Sequence, residues 1–239
     1  MNSVSVKNIQ KKFKTKEALK DISVVFKKNS ITGLLGPNGS GKTTLFNIIT
    51  GFVDSDAGSI YIDDENVSDY SLHRRSELGL TYLPQEASIF RDLTVYENIL
   101  SVAELFIAKD RISKKVNQLI RDFSLEEFTK RKGKFLSGGE RRRTEIARAL
   151  ACEPSFIMMD EPFAGIDPIA IQEVKDTIAK LKRNNIGVII TDHNVREALK
   201  IVDYAHIIYN GSLIREGHPS EIVKDEFVKK IYLGQDYQD

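Results

Sequence analysis

The chain has 239 residues, of which 41% are hydrophobic and 29% are charged. These values are typical of an ordinary soluble globular protein with a substantial core, built as one large domain or two small ones. The formal net charge of +1 argues against a dedicated nucleic-acid binder, which usually carries a strong basic excess.

Three further features limit the cellular setting. The first ten residues have no apolar run behind a charged start, so we expect no signal peptide. No stretch of about eighteen apolar residues occurs, so the chain is not expected to enter the bilayer, and any membrane role must come through a partner. The single cysteine, Cys152, cannot form an intrachain disulfide, which suits a reducing cytosol, and we expect it to be a small buried residue.

The first 30 residues alternate polar and apolar side chains, which predicts antiparallel strands with one solvated face. Phe13 lies among them, 23 residues ahead of the glycine-rich stretch at residues 36–44. From its position alone, a core aromatic is the favoured interpretation of Phe13. The alternative is that its ring stacks on adenine, whose π face suits an aromatic side chain.

Residues 36–44, GPNGSGKTT, fit the phosphate-loop pattern G-x-x-x-x-G-K-[ST] between an apolar strand at 31–35 and a helix at 42–49. The glycines allow a tight turn in which backbone N–H groups and the helix N-terminus converge on phosphate oxygens. Lys42 is expected to reach the β- and γ-phosphates, and the Thr43 hydroxyl to bind Mg²⁺. The sequence therefore predicts that the chain binds a nucleoside triphosphate. The predicted contacts of this loop are Gly36, Pro37, Asn38, Gly39, Ser40, Gly41, Lys42, Thr43 and Thr44.

The rest of the chain alternates strands and helices. Strands are predicted at 59–62 and 78–83, and residues from about 87 to 136 have helical periodicity, with helices at 95–108 and 112–123. Continuous apolar runs at 156–159 and 186–190 are typical of parallel strands covered on both faces, and a helical stripe separates them. We therefore predict an α/β fold with a mainly parallel sheet, right-handed crossovers and a helical insert.

Two acids, Asp160 and Glu161, end the strand at 156–159. Ligand sites of open α/β sheets lie at the carboxyl ends of the strands. Asp160 is expected to hold Mg²⁺ directly or through water, and Glu161 to polarise the attacking water as a general base. The alternative is a pair of solvated acids, which the nearby phosphate loop disfavours.

Residues 136–140, LSGGE, open a predicted helix that runs from Glu140 to Ala151. A helix N-terminus with a serine and two glycines can bind a second phosphate. Taken alone, the same residues are better interpreted as a flexible N-terminal cap.

Together, the phosphate loop, Gln85, residues 136–140, the Asp160–Glu161 pair and His193 resemble the ATP-binding subunit of ABC transporters, in order and spacing, over essentially the whole chain. The resemblance implies that Phe13 stacks on adenine and that Gln85 touches Mg²⁺ and links to the helical insert. It also implies that His193 senses the γ-phosphate and that residues 165–167 contact a second copy. The implied catalytic residues are Glu161, His193 and Gln85, the metal ligands are Thr43, Gln85 and Asp160, and the further nucleotide contacts are Phe13, Ser137, Gly138 and Gly139.

The family resemblance also implies architecture and partners. One domain over residues 1–239 would combine a RecA-like core with an antiparallel β part (1–86 and 156–239) and a helical subdomain (about 87–155). Two copies would form a head-to-tail homodimer that binds ATP and Mg²⁺ and hydrolyses ATP to ADP and phosphate. Two integral-membrane subunits would contact each dimer near Phe90 and Arg91, which places the chain in the cytoplasm, peripheral on the inner membrane, without nucleic acid or direct bilayer insertion.

Within the family, finer details resemble the cytoplasmic ATPases of bacterial lipopolysaccharide exporters, carried by residues 82–91, 136–150, 160–168, 191–197 and 228–234. ATPases of branched-chain amino-acid importers share much of the sequence of these segments and remain an alternative. A soluble ABC protein of translation or DNA repair is a weaker alternative, since the chain has one cassette and no long heptad repeat. A phosphate-loop kinase would leave the LSGGE stretch and His193 unexplained.

Two smaller predictions concern charged side chains. Residues 141–143 are three arginines in the first turn of a helix, where they oppose the helix dipole. Either they form a solvated face or at least one of them pairs with an acid on a partner or a neighbouring strand. His73, His206 and His218 have no motif context, and we expect them at the surface.

Overall fold

The strands of the protein form two sheets, and its helices cover them. The computed structural model describes residues 1–165 and 168–233. The strands are β1 (Ser3–Phe13), β2 (Lys16–Lys27), β3 (Ile31–Leu35), β4 (Ala57–Ile62), β5 (Glu65–Asn66), β6 (Leu80–Leu83), β7 (Phe156–Asp160), β8 (Gly187–Asp192), β9 (Tyr204–Tyr209) and β10 (Ser212–Gly217). The α-helices are α1 (Lys42–Thr50), α2 (Leu72–Glu77), α3 (Val95–Phe106), α4 (Lys109–Asp122), α5 (Gly138–Ala149), α6 (Pro168–Arg183), α7 (Val195–Leu199), α8 (Pro219–Ile222) and α9 (Glu226–Val228).

The larger sheet has the strand order β10-β9-β3-β8-β7-β6. All its neighbours are parallel except β9 and β10, and every residue of β3, β7 and β8 is buried. Along β7, Phe156 and Met158 pack in one apolar cluster, whereas Ile157 and Met159 pack in the other. Both faces of the sheet are therefore covered, which is why its central strands have no polar alternation.

The smaller sheet has the order β2-β1-β4-β5 and is antiparallel throughout. The predicted fold class is confirmed: a mainly parallel sheet, an antiparallel sheet and a set of helices. The helices α3, α4 and α5 lie between β6 and β7, in the segment where the sequence predicts a helical insert. The exact boundaries of the subdomains stay a prediction.

The helix that follows residue 137 begins two residues earlier than predicted, at Gly138 instead of Glu140. The reason is a capping box: the Ser137 hydroxyl accepts a hydrogen bond from the Glu140 backbone N–H, and the Glu140 carboxylate accepts one from the Ser137 N–H. The cap fixes the first helical residue directly after the serine. The two glycines therefore form the first turn of the helix and are not a flexible lead-in.

The expectation that His206 lies at the surface is wrong, because its exposed fraction is 2%. His206 lies in β9, with its ring centroid 5.5 Å from that of Phe26 and 5.3 Å from that of Tyr204. Burial lowers the pKa of His206, although its Nδ1 lies 3.0 Å from a Glu216 carboxylate oxygen. Contacts between the two sheets bury this side chain, and no local sequence motif predicts those contacts.

Cys152 is half-buried, and its thiol lies against Thr81 Oγ1 at 3.0 Å and donates to the Ala149 carbonyl at 3.1 Å. Burial raises the pKa of this thiol, so it packs as a small neutral side chain.

A buried arginine, Arg75, holds the C-terminal end of α1. Its Nη1 donates to the carbonyls of Ile48 and Ile49 at 2.6 and 2.7 Å, and its Nη2 and Nε donate to those of Ser68 and Tyr70. The last carbonyls of a helix have no intrahelical donor, and they carry the negative end of the helix dipole. Arg75 therefore satisfies the end of α1 with both hydrogen bonds and charge.

We expect Arg75→Met to lower the free energy of unfolding by about 3 kcal/mol, because two buried and two partly buried carbonyls each lose a hydrogen bond. Chemical denaturation of the purified protein measures this. The matched control is Arg74→Met: Arg74 is exposed on the same helix, where it pairs with Glu77 and lies over the Tyr70 ring, so a change below about 0.5 kcal/mol is expected. Equal losses in both variants would contradict the proposed capping role.

Candidate functional site

The loop between β3 and α1 packs too tightly for any side chain at its first glycine. A Cβ atom on Gly36 would lie 2.2 Å from the Ile208 carbonyl oxygen and 2.5 Å from Ser40 Oγ. Gly41 has a φ of +113°, and a Cβ there would lie 2.8 Å from the Ala18 oxygen. The glycines are therefore required to bring the backbone N–H groups of the loop and of the first turn of α1 into one concave surface.

Lys42, the first residue of α1, folds back over this loop. Its Nζ donates to the Gly36 carbonyl at 2.5 Å and to the Pro37 carbonyl at 3.1 Å. Burial lowers the pKa of Lys42, while the carboxylates of Glu161 and Asp160 act in the opposite direction. The ammonium group is thus held beside the loop, where it can meet a phosphate oxygen.

The Asp160 carboxylate ends β7 and is 4% exposed. Asp160 pairs with Thr191 of β8 in the parallel register, and the Thr191 hydroxyl donates to Asp160 Oδ1. Burial raises the pKa of Asp160, with the Glu161 charge acting in the same direction. Tyr82 of β6 is the other neighbour of this carboxylate, and burial and Asp160 together raise the pKa of Tyr82 to about 12.

The three predicted catalytic residues lie together. Gln85 Nε2 donates to Glu161 Oε2 at 2.8 Å, and His193 Nδ1 lies 3.2 Å from the same oxygen. The backbone of Glu161 has a φ of +43°, and its N–H donates to Thr191 at the end of β8. Non-glycine residues with positive φ are uncommon and concentrate at functional sites. Gln85 and His193 thus orient the Glu161 carboxylate, and Thr191 orients its backbone.

A cleft of about 310 Å³ runs beside the loop. Phe13 lines it with its ring 46% exposed, together with residues of the phosphate loop and Glu161. A larger cleft of about 670 Å³ lies between α4 and α6, but no glycine lines it. Volume therefore does not identify the nucleotide site; the phosphate-binding backbone does. The residues lining the smaller cleft are Phe13, Lys16, Ala18, Asn38, Gly39, Gly41, Lys42, Thr43, Thr44 and Glu161.

The residues at 137–139 are not part of this cleft within one chain. Ser137 is exposed, and its hydroxyl caps the 12-residue helix α5. The structure therefore brings Phe13, the loop, Gln85, Glu161 and His193 together around one site but leaves the second predicted phosphate site outside it. Gly165 lies four residues beyond Glu161 and has a φ of +69°, and the expected contact residues 166 and 167 lie outside the described residues.

The predicted metal ligands suit a hard cation. Thr43 supplies a hydroxyl oxygen, Gln85 an amide oxygen and Asp160 a carboxylate oxygen, and Mg²⁺ prefers oxygen ligands completed by substrate phosphates. The Gln85 amide nitrogen is already used on Glu161, which leaves its oxygen free to face a cation. The donor set of the site therefore fits Mg²⁺.

A family model described as ABC transporter matches residues 19–164. The chain belongs to the ABC transporter family. It is 47% identical to the "Lipopolysaccharide export system ATP-binding protein LptB" of Escherichia coli (strain K12), over 100% of both chains. It is 45% identical to the protein of the same name in Haemophilus influenzae, again over 100% of both chains.

Solved ABC cassettes share the fold of this one. The crystal structure of an ATP-binding cassette of an ABC transporter in its ADP conformation has a TM-score of 0.88 and 30% identity, over 98% of this chain and 100% of that one. A dimeric bacterial ABC transporter cassette has a TM-score of 0.78 and 25% identity, over 90% of this chain and 98% of that one. As an ABC cassette, the chain binds nucleotide, and it is an ATPase whose hydrolysis is coupled to transport.

The sequence prediction missed Thr191, which donates to Asp160 and accepts from the Glu161 backbone. Its only sequence signal is a polar residue at the carboxyl end of a buried strand, just ahead of His193. The predicted ion pairing of the arginine run is found within the chain but not with a neighbouring strand, and pairing with a partner subunit stays a prediction. Arg142 pairs with Glu145 of the same helix and Arg143 with Glu173 of α6, so neither acid lies on a strand.

No helix within residues 1–165 and 168–233 has both the length and the apolar composition needed to cross a bilayer.

We expect Asp160→Asn to stabilise the nucleotide-free ABC cassette by about 1 kcal/mol at neutral pH. Burial raises the pKa of Asp160 in the folded state, so its ionised form opposes folding; asparagine removes that charge and can still accept from Thr191. The difference should shrink as the pH falls and the wild-type carboxyl becomes protonated. Denaturant titrations at neutral and acidic pH measure it, and a less stable variant at neutral pH would contradict the prediction.

Proposed function

We propose that this chain is the ATPase subunit of a lipopolysaccharide exporter. The observation that carries the hydrolytic part of the proposal is the convergence of Gln85 and His193 on one carboxylate oxygen of Glu161, beside the phosphate loop. The likeness to the E. coli lipopolysaccharide export protein over the full length of both chains supports the choice of transporter.

In the proposed reaction, the adenine of ATP stacks on Phe13, and its phosphates lie along residues 36–44. Lys42 neutralises charge on the β- and γ-phosphates from the side of the loop. Thr43, Gln85 and Asp160 would hold Mg²⁺, which when bound offsets the negative charge that develops on the phosphates during transfer.

Glu161 is the proposed general base. Its carboxylate accepts the proton of the attacking water while Gln85 and His193 keep the carboxylate oriented. The Thr191 hydroxyl and the β7–β8 pairing fix the backbone from which both acids project. His193, which is exposed and contacts the Glu161 carboxylate, is also the proposed sensor of the γ-phosphate.

The second phosphate site, residues 137–139, suggests a dimer. It lies outside the cleft of its own chain, yet it forms the first turn of a capped helix whose N-terminus favours anions. We infer that these residues of one copy close on the ATP held by the loop of another, in a head-to-tail homodimer. The likeness to a dimeric ABC cassette supports this arrangement.

An apolar groove is the proposed docking site for the membrane subunits. It has a volume of about 490 Å³, and aromatic residues including Phe52, Tyr82 and Phe106 line it together with Arg148. The Arg148 guanidinium also stacks over Phe90 at 4.6 Å, and the Phe90 ring is 48% exposed. Arg91 follows on the same exposed turn. An exposed aromatic beside arginines is typical of an interface anchor, and docking here would hold the chain on the cytoplasmic face of the inner membrane.

We expect Glu161→Gln to lower the hydrolysis rate about 100-fold or more while ATP binding changes little, because glutamine keeps the hydrogen bonds but cannot accept the proton. The variant should then trap an ATP-bound dimer, detected by light scattering with ATP and absent with ADP. Near-normal turnover would contradict the assignment of Glu161 as the base.

The same variant tests the transporter. Tagged Glu161→Gln protein, extracted in mild detergent with ATP, should co-purify with the membrane pair of a lipopolysaccharide exporter, identified by mass spectrometry. Recovery of amino-acid permease subunits would keep the mechanism and overturn the proposed substrate. Recovery of ribosomes or DNA would contradict a transport role.

We expect Phe90→Ala to weaken co-purification with the membrane subunits at least tenfold and to leave ATP binding by the isolated protein unchanged. Phe227→Ala is the matched control, because its ring is 47% exposed but lies on α9, away from the groove. Equal assembly of the two variants would show that Phe90 is not an anchor.

A further inference from the structure

A buried carboxylate that the reaction does not use lies in the middle of α5. Glu145 is 2% exposed, and its Oε1 accepts from the backbone N–H groups of Ser88 at 2.7 Å and Ile89 at 3.1 Å. Its Oε2 lies 3.3 Å from Nη1 of Arg142. One side chain of α5 therefore binds the backbone of a segment almost 60 residues away in sequence.

That segment, residues 84–90, is here called the Gln85 segment. Arg142 Nη1 donates to the Pro84 carbonyl at 3.1 Å, at one end of it. At the other end, the fully buried Asn98 accepts from the Phe90 N–H at 2.9 Å and donates to the Phe90 carbonyl at 3.1 Å. The Gln85 segment contains no regular strand or helix, so these side chains determine its path.

The Gln85 segment joins two parts of the proposed machinery. Near its start, Gln85 contacts Glu161 at 2.8 Å, and at its end Phe90 projects beside the apolar groove. Glu145 contacts the middle of the segment, and its helix begins at residues 137–139, the second phosphate site. Arg148 of the same helix also holds this segment, since it donates to the Ser88 carbonyl at 2.8 Å and to the Ser88 hydroxyl at 2.7 Å. Glu145 is the acid of this set, and it connects the base, the docking face and the helix that is proposed to meet a second copy.

The Arg142 guanidinium depends on this carboxylate. Within the described residues, its Nε and Nη2 are buried without a hydrogen-bond partner, and Glu145 is the acid with which it pairs. Removing one partner of a buried pair leaves an uncompensated charge, whereas replacing both by apolar residues is often tolerated. Two buried backbone donors would also lose their acceptor. Loss of Glu145 should therefore loosen the Gln85 segment first.

We propose that Glu145 is a positioning residue that ties the Gln85 segment to α5, so that nucleotide at residues 137–139 and a partner at Phe90 act on the same rigid unit. The identity of the partner in this inference rests on the proposed function, whereas the contact between Glu145 and the Gln85 segment does not. A carboxylate that only stabilised α5 would not couple residues 137–139 to Phe90.

The test uses amide hydrogen exchange of the full chain, followed by mass spectrometry of peptides that cover residues 84–93 and 136–142. In the wild type, a non-hydrolysable ATP analogue with Mg²⁺ should slow exchange in both peptides together. In Glu145→Met, which removes both the charge and the acceptor, exchange at residues 84–93 should be at least tenfold faster without nucleotide, and the analogue should protect only residues 136–142.

Glu145→Met/Arg142→Met is the second variant, because it removes both charges with little change in volume and should fold even if the single variant does not. It lacks any acceptor for the Ser88 and Ile89 N–H groups, so the same loss of protection is expected. Val116→Ala is the control: Val116 is fully buried on α4, and its truncation should lower stability without altering the joint response of the two peptides.

A second readout uses the assembled transporter. The Glu145 variants should lose at least fivefold of the ATPase stimulation produced by the membrane subunits, and Val116→Ala should retain it. Unchanged exchange at residues 84–93 in both Glu145 variants, or an equal change in Val116→Ala, would overturn the inference. If the wild type failed to assemble with lipopolysaccharide-export subunits, the proposed function would fail, while the exchange of the isolated chain would still decide the role of Glu145.

Discussion

Charge buried at one edge of the large sheet is the constraint on which the site depends. Lys42, Asp160 and Asp192 are each at most 5% exposed, and burial works against the charge of all three. They lie where β3, β7 and β8 end side by side, so the parallel pairing itself brings opposite charges together. In the proposed reaction, an incoming phosphate and its cation add charges of opposite sign to these groups. Nucleotide binding should therefore stabilise the fold, because it supplies partners for charges that burial disfavours in the nucleotide-free protein.

The same edge explains why the glycine loop cannot vary. Gly36 meets the carbonyl of Ile208 in β9, and Gly41 meets the carbonyl of Ala18 in β2, so the loop is clamped between the two sheets. Its conformation therefore comes from packing as much as from local flexibility. Glu161, directly after β7, is the counterpart: a residue with positive φ that Gln85 and His193 hold in place.

Much of this could be predicted from sequence, because the phosphate loop and the Asp160–Glu161 pair are each local patterns with one structural solution. What could not be predicted depends on contacts between distant segments. His206 is buried by packing against Phe26 of the other sheet, and Arg142 finds its acid one turn along its own helix. The start of α5 was predicted two residues too late, because the periodicity of apolar residues does not reveal the Ser137 cap.

The contacts of Arg75 have a consequence for which molecules fit. This side chain joins the end of α1 to the carbonyls of Ser68 and Tyr70, just after β5, whose neighbour β4 pairs with the strand that ends at Phe13. The proposed base platform at Phe13 and the phosphate loop are thereby connected through the smaller sheet. Under the proposed binding mode, a ligand whose ring and phosphates lie closer together or farther apart than those of a nucleotide would not reach both.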